Sequence, residues 1–235
     1  DAGADVSCLR VMDTESGCAF IEVNSKGQNR IIVSAGTNRM YTEEYIKNVL
    51  EKAEAGDFVL LQNEINELDY IIDRAYEIIR LSHEKGCRVV FNASPIPGKP
   101  EELPLELVDI FMVNELEAAA LAGTSTEGDF RDILKALQKK YPKAAIVMTL
   151  GKEGVFYGYK EEFYSHPIFK VNAVDTTAAG DTFCGYFLAA LCAEKSVETA
   201  LREASAASAM AVSAKGAAPS IPVHSAVEEW LCGRS

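Results

Sequence analysis

The densest chemistry in the sequence lies in Asp175-Thr176-Thr177-Ala178-Ala179-Gly180-Asp181-Thr182-Phe183. Ala178, Ala179 and Gly180 directly precede an apolar helical run carrying Phe183, Phe187, Leu188 and Leu191. Small residues there let the backbone approach an anion closely at a helix N-terminus. The unpaired N–H groups of a first turn, together with the helix macrodipole, can hold negative charge that develops on a transferring phosphoryl group. Asp181 falls in that same turn, where a carboxylate can accept the proton of a hydroxyl as it attacks phosphorus. The spacing also fits a plain helix in which Asp181 is only a favourable N-terminal charge.

The elements that must position this segment can be read from periodicity. Short β-like runs at 6–11, 18–23 and 30–33 open the chain, and Asn24-Ser25-Lys26-Gly27 is a hairpin signal. Thr42 can cap a helix whose Tyr45, Ile46, Val49 and Leu50 recur at helical spacing. Strands are then expected at 57–62, 88–91, 110–113, 145–149 and 155–159. Helices are expected at 68–85 (ended by Gly86), 115–122, 129–140, 180–193, 197–213 and 225–232. Continuous apolar strands alternating with helices predict an α/β fold, a mostly parallel sheet covered on both faces. A boundary near Gly36 separates a β-rich opening (1–36) from an α/β body (37–235).

Composition narrows the function classes. With 35 acidic against 23 basic side chains, the formal net charge of −12 disfavours a nucleic-acid partner, which needs a concentrated basic surface. A single small anion can still be held by local backbone N–H groups. The six cysteines include no C-x-x-C pair, which argues against a zinc or dithiol redox site and for free thiols in a reducing compartment. No run is long and apolar enough for a membrane span, and no secretory signal opens the sequence, so the expectation is a cytoplasmic protein. No G-x-G-x-x-G follows an opening strand, which makes a dinucleotide-dependent dehydrogenase a poor fit.

Four further segments, in order along the chain, extend the pattern. Asn114-Glu115-Leu116-Glu117 resembles an N-x-x-E motif. Thr149-Leu150-Gly151-Lys152-Glu153-Gly154 resembles a T-L-G-x-x-G nucleotide turn. Lys215-Gly216-Ala217-Ala218-Pro219-Ser220 resembles a K-G-A-x-P-S loop, and Asn92-Ala93-Ser94-Pro95 stands where an N-x-x-P-like strand end is expected. Together with Asp175 to Phe183, this set resembles the ribokinase family of carbohydrate kinases over essentially all 235 residues.

The resemblance implies a ribokinase-like fold with a small β-rich lid, and transfer of the ATP γ-phosphate to the 5-hydroxyl of D-ribose. Kinases for deoxyribose, fructose or adenosine are alternatives, as is a non-catalytic nucleotide-binding fragment. It implies Asp181 as the catalytic base and Ala178, Ala179 and Gly180 as the anion hole. Asn114, Thr149, Leu150, Gly151, Lys152, Glu153, Gly154 and Ser205 would lie around ATP, with Gly180 and Asp181 touching both reactants. Glu117 would help organise Mg²⁺ through water. A K⁺ site would draw on Asp175, carbonyls of Thr177, Ala211, Ala214 and Gly216, and the Ser220 hydroxyl. Glu64 would lie by the sugar, and the lid would pair with that of a second subunit in a homodimer. Matched to the family pattern, the chain begins about a quarter of the way into a typical member. Exposed strand edges and a thinned core that make it marginal and association-prone, with weak or absent kinase activity, are the corresponding expectations for a chain starting at Asp1.

Overall fold

A computed structural model describes residues 3–23, 29–63 and 72–234. The chain forms two sheets. Strands β1 (Cys18–Val23) and β2 (Asn29–Ser34) make a two-stranded antiparallel ribbon, with Cys18 opposite Ser34 and Val23 opposite Asn29. The hairpin residues expected at 24–27 lie outside the described residues. The main sheet has six strands in sequence order: β3 (Phe58–Gln62), β4 (Arg88–Asn92), β5 (Ile110–Asn114), β6 (Ala145–Thr149), β7 (Val155–Tyr159) and β8 (Glu162–His166). The first four run parallel; β7 and β8 are antiparallel. This is the expected α/β architecture, with an antiparallel edge added by β8.

Strand order explains where the helices go. The parallel strands advance in one direction, so right-handed crossovers send the intervening helices to one face. Those helices are α2 (Ile72–Glu84), α3 (Glu115–Ala122) and α4 (Phe130–Lys140). They pack on Phe91, Phe111, Ile146 and Met148. The alternate residues Val90, Ile110, Met112 and Val147 point to the opposite face, because successive strand side chains alternate. That face is covered by α5 (Ala179–Cys192) and α6 (Val197–Val212), which follow the antiparallel strands. Helix α1 (Glu43–Glu51) is capped by Thr42 Oγ1, which accepts from Tyr45 N–H at 3.2 Å, and α7 (His224–Cys232) packs on α6.

One expectation fails. Residues 6–11 form no strand. Among the described residues nothing pairs with them, Val11 is 89% exposed, and the segment is tied instead to α1 by Tyr45 Oη donating to the Cys8 carbonyl at 2.9 Å. An apolar run becomes a strand only where a partner completes the ladder. Among the described residues no helix is long and apolar enough to cross a membrane.

The layout positions a site. Gln62, Asn92, Asn114 and Thr149 end the four parallel strands, and register aligns Gln62 with Asn92 and Asn114 with Thr149. Ligands of open α/β sheets bind outside these carboxyl ends.

Candidate active site

A cleft of about 510 Å³ opens beside the end of β6. Thr149, Gly151, Lys152 and Gly154 line it from the β6–β7 turn, Ala179 and Gly180 from the start of α5, and Ser205 from α6. Six residues expected near a nucleotide, and Ala179 expected in the anion hole, are thus brought to one cavity. The turn holds its shape through Leu150 N–H donating to the Gly154 carbonyl at 2.8 Å. Gly154 has φ +99°, and a Cβ there would stand 2.3 Å from the His166 carbonyl oxygen, so no other residue fits. Leu150 is buried behind the cleft, and Glu153 is exposed and does not line it.

The start of α5 is left open. Its N-cap is Ala178, buried and without a side-chain cap, although alanine is among the poorest capping residues. Ala179 N–H donates to the Thr176 carbonyl at 3.2 Å and Thr182 N–H to the Ala178 carbonyl at 3.0 Å. Among the described residues, the Gly180 and Asp181 N–H groups between them donate to no protein acceptor. A Cβ on Gly180 would meet nothing within 4 Å, so the fold itself does not require glycine there. The Asp181 carboxylate is exposed in the same turn and accepts no hydrogen bond among the described residues. Thr182 beside it is buried with an unpartnered hydroxyl. Ser208 of α6 fixes the turn from outside, its Oγ donating to the Ala179 carbonyl at 3.0 Å.

Asn114 and Glu117 are arranged differently. Asn114 Oδ1 accepts from Glu117 N–H at 2.9 Å, and Asn114 N–H donates to Glu117 Oε2 at 2.8 Å, a reciprocal capping box at α3. Neither residue lines the cleft. Burial pushes the Glu117 carboxyl above its ordinary value, and the Asn114 N–H and Ser94 hydroxyl partly offset this. Asn114 nonetheless sits opposite Thr149 in the sheet, one strand from the cavity.

Asp175 ties two loops together. Its Oδ1 accepts from the Thr177 N–H at 3.0 Å and the Thr177 hydroxyl at 2.6 Å, and its Oδ2 accepts from Gly216 N–H at 3.0 Å. The Thr177 hydroxyl first, then the Gly216 and Thr177 N–H groups, hold the carboxyl below its usual range. The Ser220 hydroxyl donates to the Ala217 carbonyl at 2.8 Å and keeps its lone pairs. Among the described residues the carbonyls of Thr177, Ala214 and Gly216 accept no hydrogen bond, whereas that of Ala211 accepts from Ala214 and the capping Ser213 N–H. Oxygen donors able to hold a monovalent cation therefore exist here, with Ala211 the most committed of them. No three His, Cys, Asp or Glu side chains converge as a metal cage among the described residues. A magnesium ion carried on phosphates and keeping its waters needs only one nearby carboxylate. Glu64 lies outside the described residues.

Sequence reasoning missed the opposite wall of the cleft, formed by Ile168, Phe169, Lys170, Val171 and Ala173. The signal was an apolar, non-periodic stretch between β8 and the Asp175 motif, which reads only as loop. Lys152 and Lys170 face the cavity without an ion-pair partner among the described residues, in a chain of net charge −12. An apolar cavity with two lysines in its lining and open helix N–H groups at the start of α5 suits a planar base attached to phosphates.

The pfkB family carbohydrate kinase pattern matches residues 1–224. The chain belongs to the pfkB family of carbohydrate kinases. It is similar to the ribokinase of Haemophilus influenzae, 34% identical over 232 residues that cover 97% of this chain and 74% of that protein. It is also similar to the deoxyribokinase of Salmonella typhi, 29% identical over 94% of this chain and 71% of that one. Among solved structures, Arabidopsis thaliana ribokinase complexed with ribose and ATP superposes with a TM-score of 0.77 at 30% identity, covering 93% of this chain and 70% of that one. This member of the pfkB family therefore has the ribokinase-like architecture that its motifs imply, with Thr176, Ala179, Gly180 and Phe183 of the Asp175–Phe183 segment lining its cleft.

Proposed function

We propose that this pfkB-family chain transfers the γ-phosphate of ATP to the 5-hydroxyl of D-ribose, giving ribose 5-phosphate and ADP. The observation that carries the reading is the start of α5: two uncommitted N–H groups and one uncommitted carboxylate beside an apolar cleft. The adenine lies in the cleft between Ser205 and the 168–173 wall, and the phosphates run towards Gly180. Asp181 takes the proton of the sugar hydroxyl as its oxygen bonds to the γ-phosphorus. The bond to the β-phosphate bridging oxygen breaks, and ADP leaves with that electron pair. Ala178, Ala179 and Gly180 form the hole in which the N–H groups receive the oxygen charge of the transfer.

Magnesium, when bound, neutralises the β- and γ-phosphate oxygens, and Glu117 would contribute through water. Asp175, Ser220 and the carbonyls of Thr177, Ala214 and Gly216 would hold potassium beside the hole, with Ala211 a weaker donor. Similarity to ribokinases, one of them complexed with ribose and ATP, supports D-ribose as acceptor, and deoxyribose is the nearest competitor. A homodimer through the β1–β2 ribbon is part of the proposal. Phe20 and Ile21 project to opposite faces of the ribbon and are both exposed, as are Ile32 and Val33.

The test is ATP-dependent phosphorylation across D-ribose, deoxyribose and fructose, for this chain and its Asp181→Asn variant, with magnesium and potassium. Turnover highest on D-ribose and abolished in the variant supports the reading. Equal turnover in the variant would overturn the role of Asp181, and preference for deoxyribose would reassign the sugar.

A further inference from the structure

The missed wall of the cleft is held in an unusual way. Among the described residues, positions 167–173 make no backbone–backbone hydrogen bond; the chain is next anchored where Val174 N–H donates to the Val212 carbonyl at 2.7 Å. Beyond the Pro167 carbonyl, which stands 2.7 Å from Nδ1 of His166, the backbone of this strap is placed by its side chains. Phe169, half-buried, reaches into other elements: its ring stands edge-on to Trp230 of α7, centroids 4.9 Å apart at 79°, with the ring of His166, at the end of β8, 5.1 Å away. Arg234 lies over the Trp230 ring at 3.7 Å. Phe169 and Trp230 share a small apolar cluster with Ala206, Ala207, Met210 and Val227, which joins α7 to α6. On its other side α6 presents Ser205, Ala209 and Val212 to the cleft. The width of the cavity between the strap and α6 thus depends on a contact made outside it.

We infer that Trp230 is a positioning residue of the nucleotide cleft, setting the distance between the Phe169 strap and α6 and so the fit to a nucleotide base. This rests on the reading of the cleft as the ATP site. Trp230 touches no cleft surface and takes no part in the transfer. Its loss relaxes the strap, weakening nucleotide binding and leaving the phosphoryl and sugar chemistry at α5 in place.

Trp230 is the single tryptophan of the chain, so the protein carries its own reporter. ATP and ADP are titrated into the unmutated protein, with calorimetry giving Kd independently of tryptophan emission. The expected result is an emission change that saturates with the calorimetric Kd. In Trp230→Ala, ATP Kd and KM rise about three- to tenfold, the worth of one aromatic edge contact. Turnover at saturation and the sugar KM change less than about twofold, and Trp230→Phe restores the affinity. If Trp230→Ala does not fold, Trp230→Leu removes the ring edge, keeps apolar bulk on α7 and is read in the same way. Nucleotide binding with unchanged emission and unchanged Kd in the variants overturns the tether alone. Loss of turnover with Kd intact also overturns it, because that outcome places Trp230 in support of the transfer step and not in the fit to the base. Absence of nucleotide binding in the unmutated protein overturns the ATP-site reading, and the tether falls with it.

Discussion

Helices α3 and α5 both begin at the carboxyl edge of the sheet, yet their first turns are built in opposite ways. At α3 the donors are satisfied from within: Asn114 and Glu117 exchange hydrogen bonds and Glu117 is only 6% exposed. At α5 an alanine occupies the cap, two N–H groups are left open, and the acidic residue of the turn is exposed. A self-satisfied terminus stabilises its own helix. An open one forgoes about 1 kcal/mol of capping and keeps its dipole and donors for an incoming anion. The contrast separates two acidic motifs that look alike in sequence, N-x-x-E and A-A-G-D.

The largest effect should come from the open end. Asp181→Asn is expected to lower turnover by roughly 10²- to 10⁴-fold, the usual worth of a positioned base, with stability altered by no more than about 1 kcal/mol. Initial rates and a denaturant melt read both; a rate loss accompanied by unfolding would erase the contrast with α3. Gly180→Ala is the sharper probe. No protein atom opposes the new Cβ, so stability should hold or rise by up to about 1 kcal/mol. The methyl group nevertheless occupies the anion path, and turnover should fall by about 10²-fold. Unchanged turnover would mean that nothing approaches Gly180.

At the closed end the effects move to stability. Asn114→Ala should cost about 0.5–2 kcal/mol in denaturant unfolding, as removal of a cap does. Glu117→Gln keeps an acceptor for the Asn114 N–H and removes the desolvated charge. Burial raises the folded carboxyl above 4.5, so its contribution is present below that value and lost as pH rises through the raised value. The glutamine variant should therefore gain on the native chain across that window and hold the gain at neutral pH. If its requirement for magnesium also rises, Glu117 serves the metal as well as the cap; an unchanged requirement confines it to the cap.

Phe169 and residues 6–11 show where the sequence stopped being readable. Residues 6–11 carry a strand-like run, yet among the described residues no partner strand stands beside them. Phe169 carries no periodic signal, yet it lines the cleft and packs on Trp230. The central strands were legible because Val90, Phe91, Phe111 and Ile146 must be buried on both faces, and only continuous apolar runs allow that. The β6–β7 turn was legible because Gly154 is demanded by a backbone approach that no side chain survives.

What the sequence alone determined was local: Thr42 as a cap, the apolar strands, the glycine turn, and the small-residue approach to Asp181. Each follows from interactions within a few residues, where spacing fixes geometry. The tertiary structure decided which of these meet. It brought Gly216 to Asp175 across 41 positions, set Ser208 against Ala179, and closed the cleft with a strap leaning on α7. Those choices depend on how α5 and α6 seat on the sheet face that the crossover helices leave free, and chain-distant packing leaves no periodic mark in sequence.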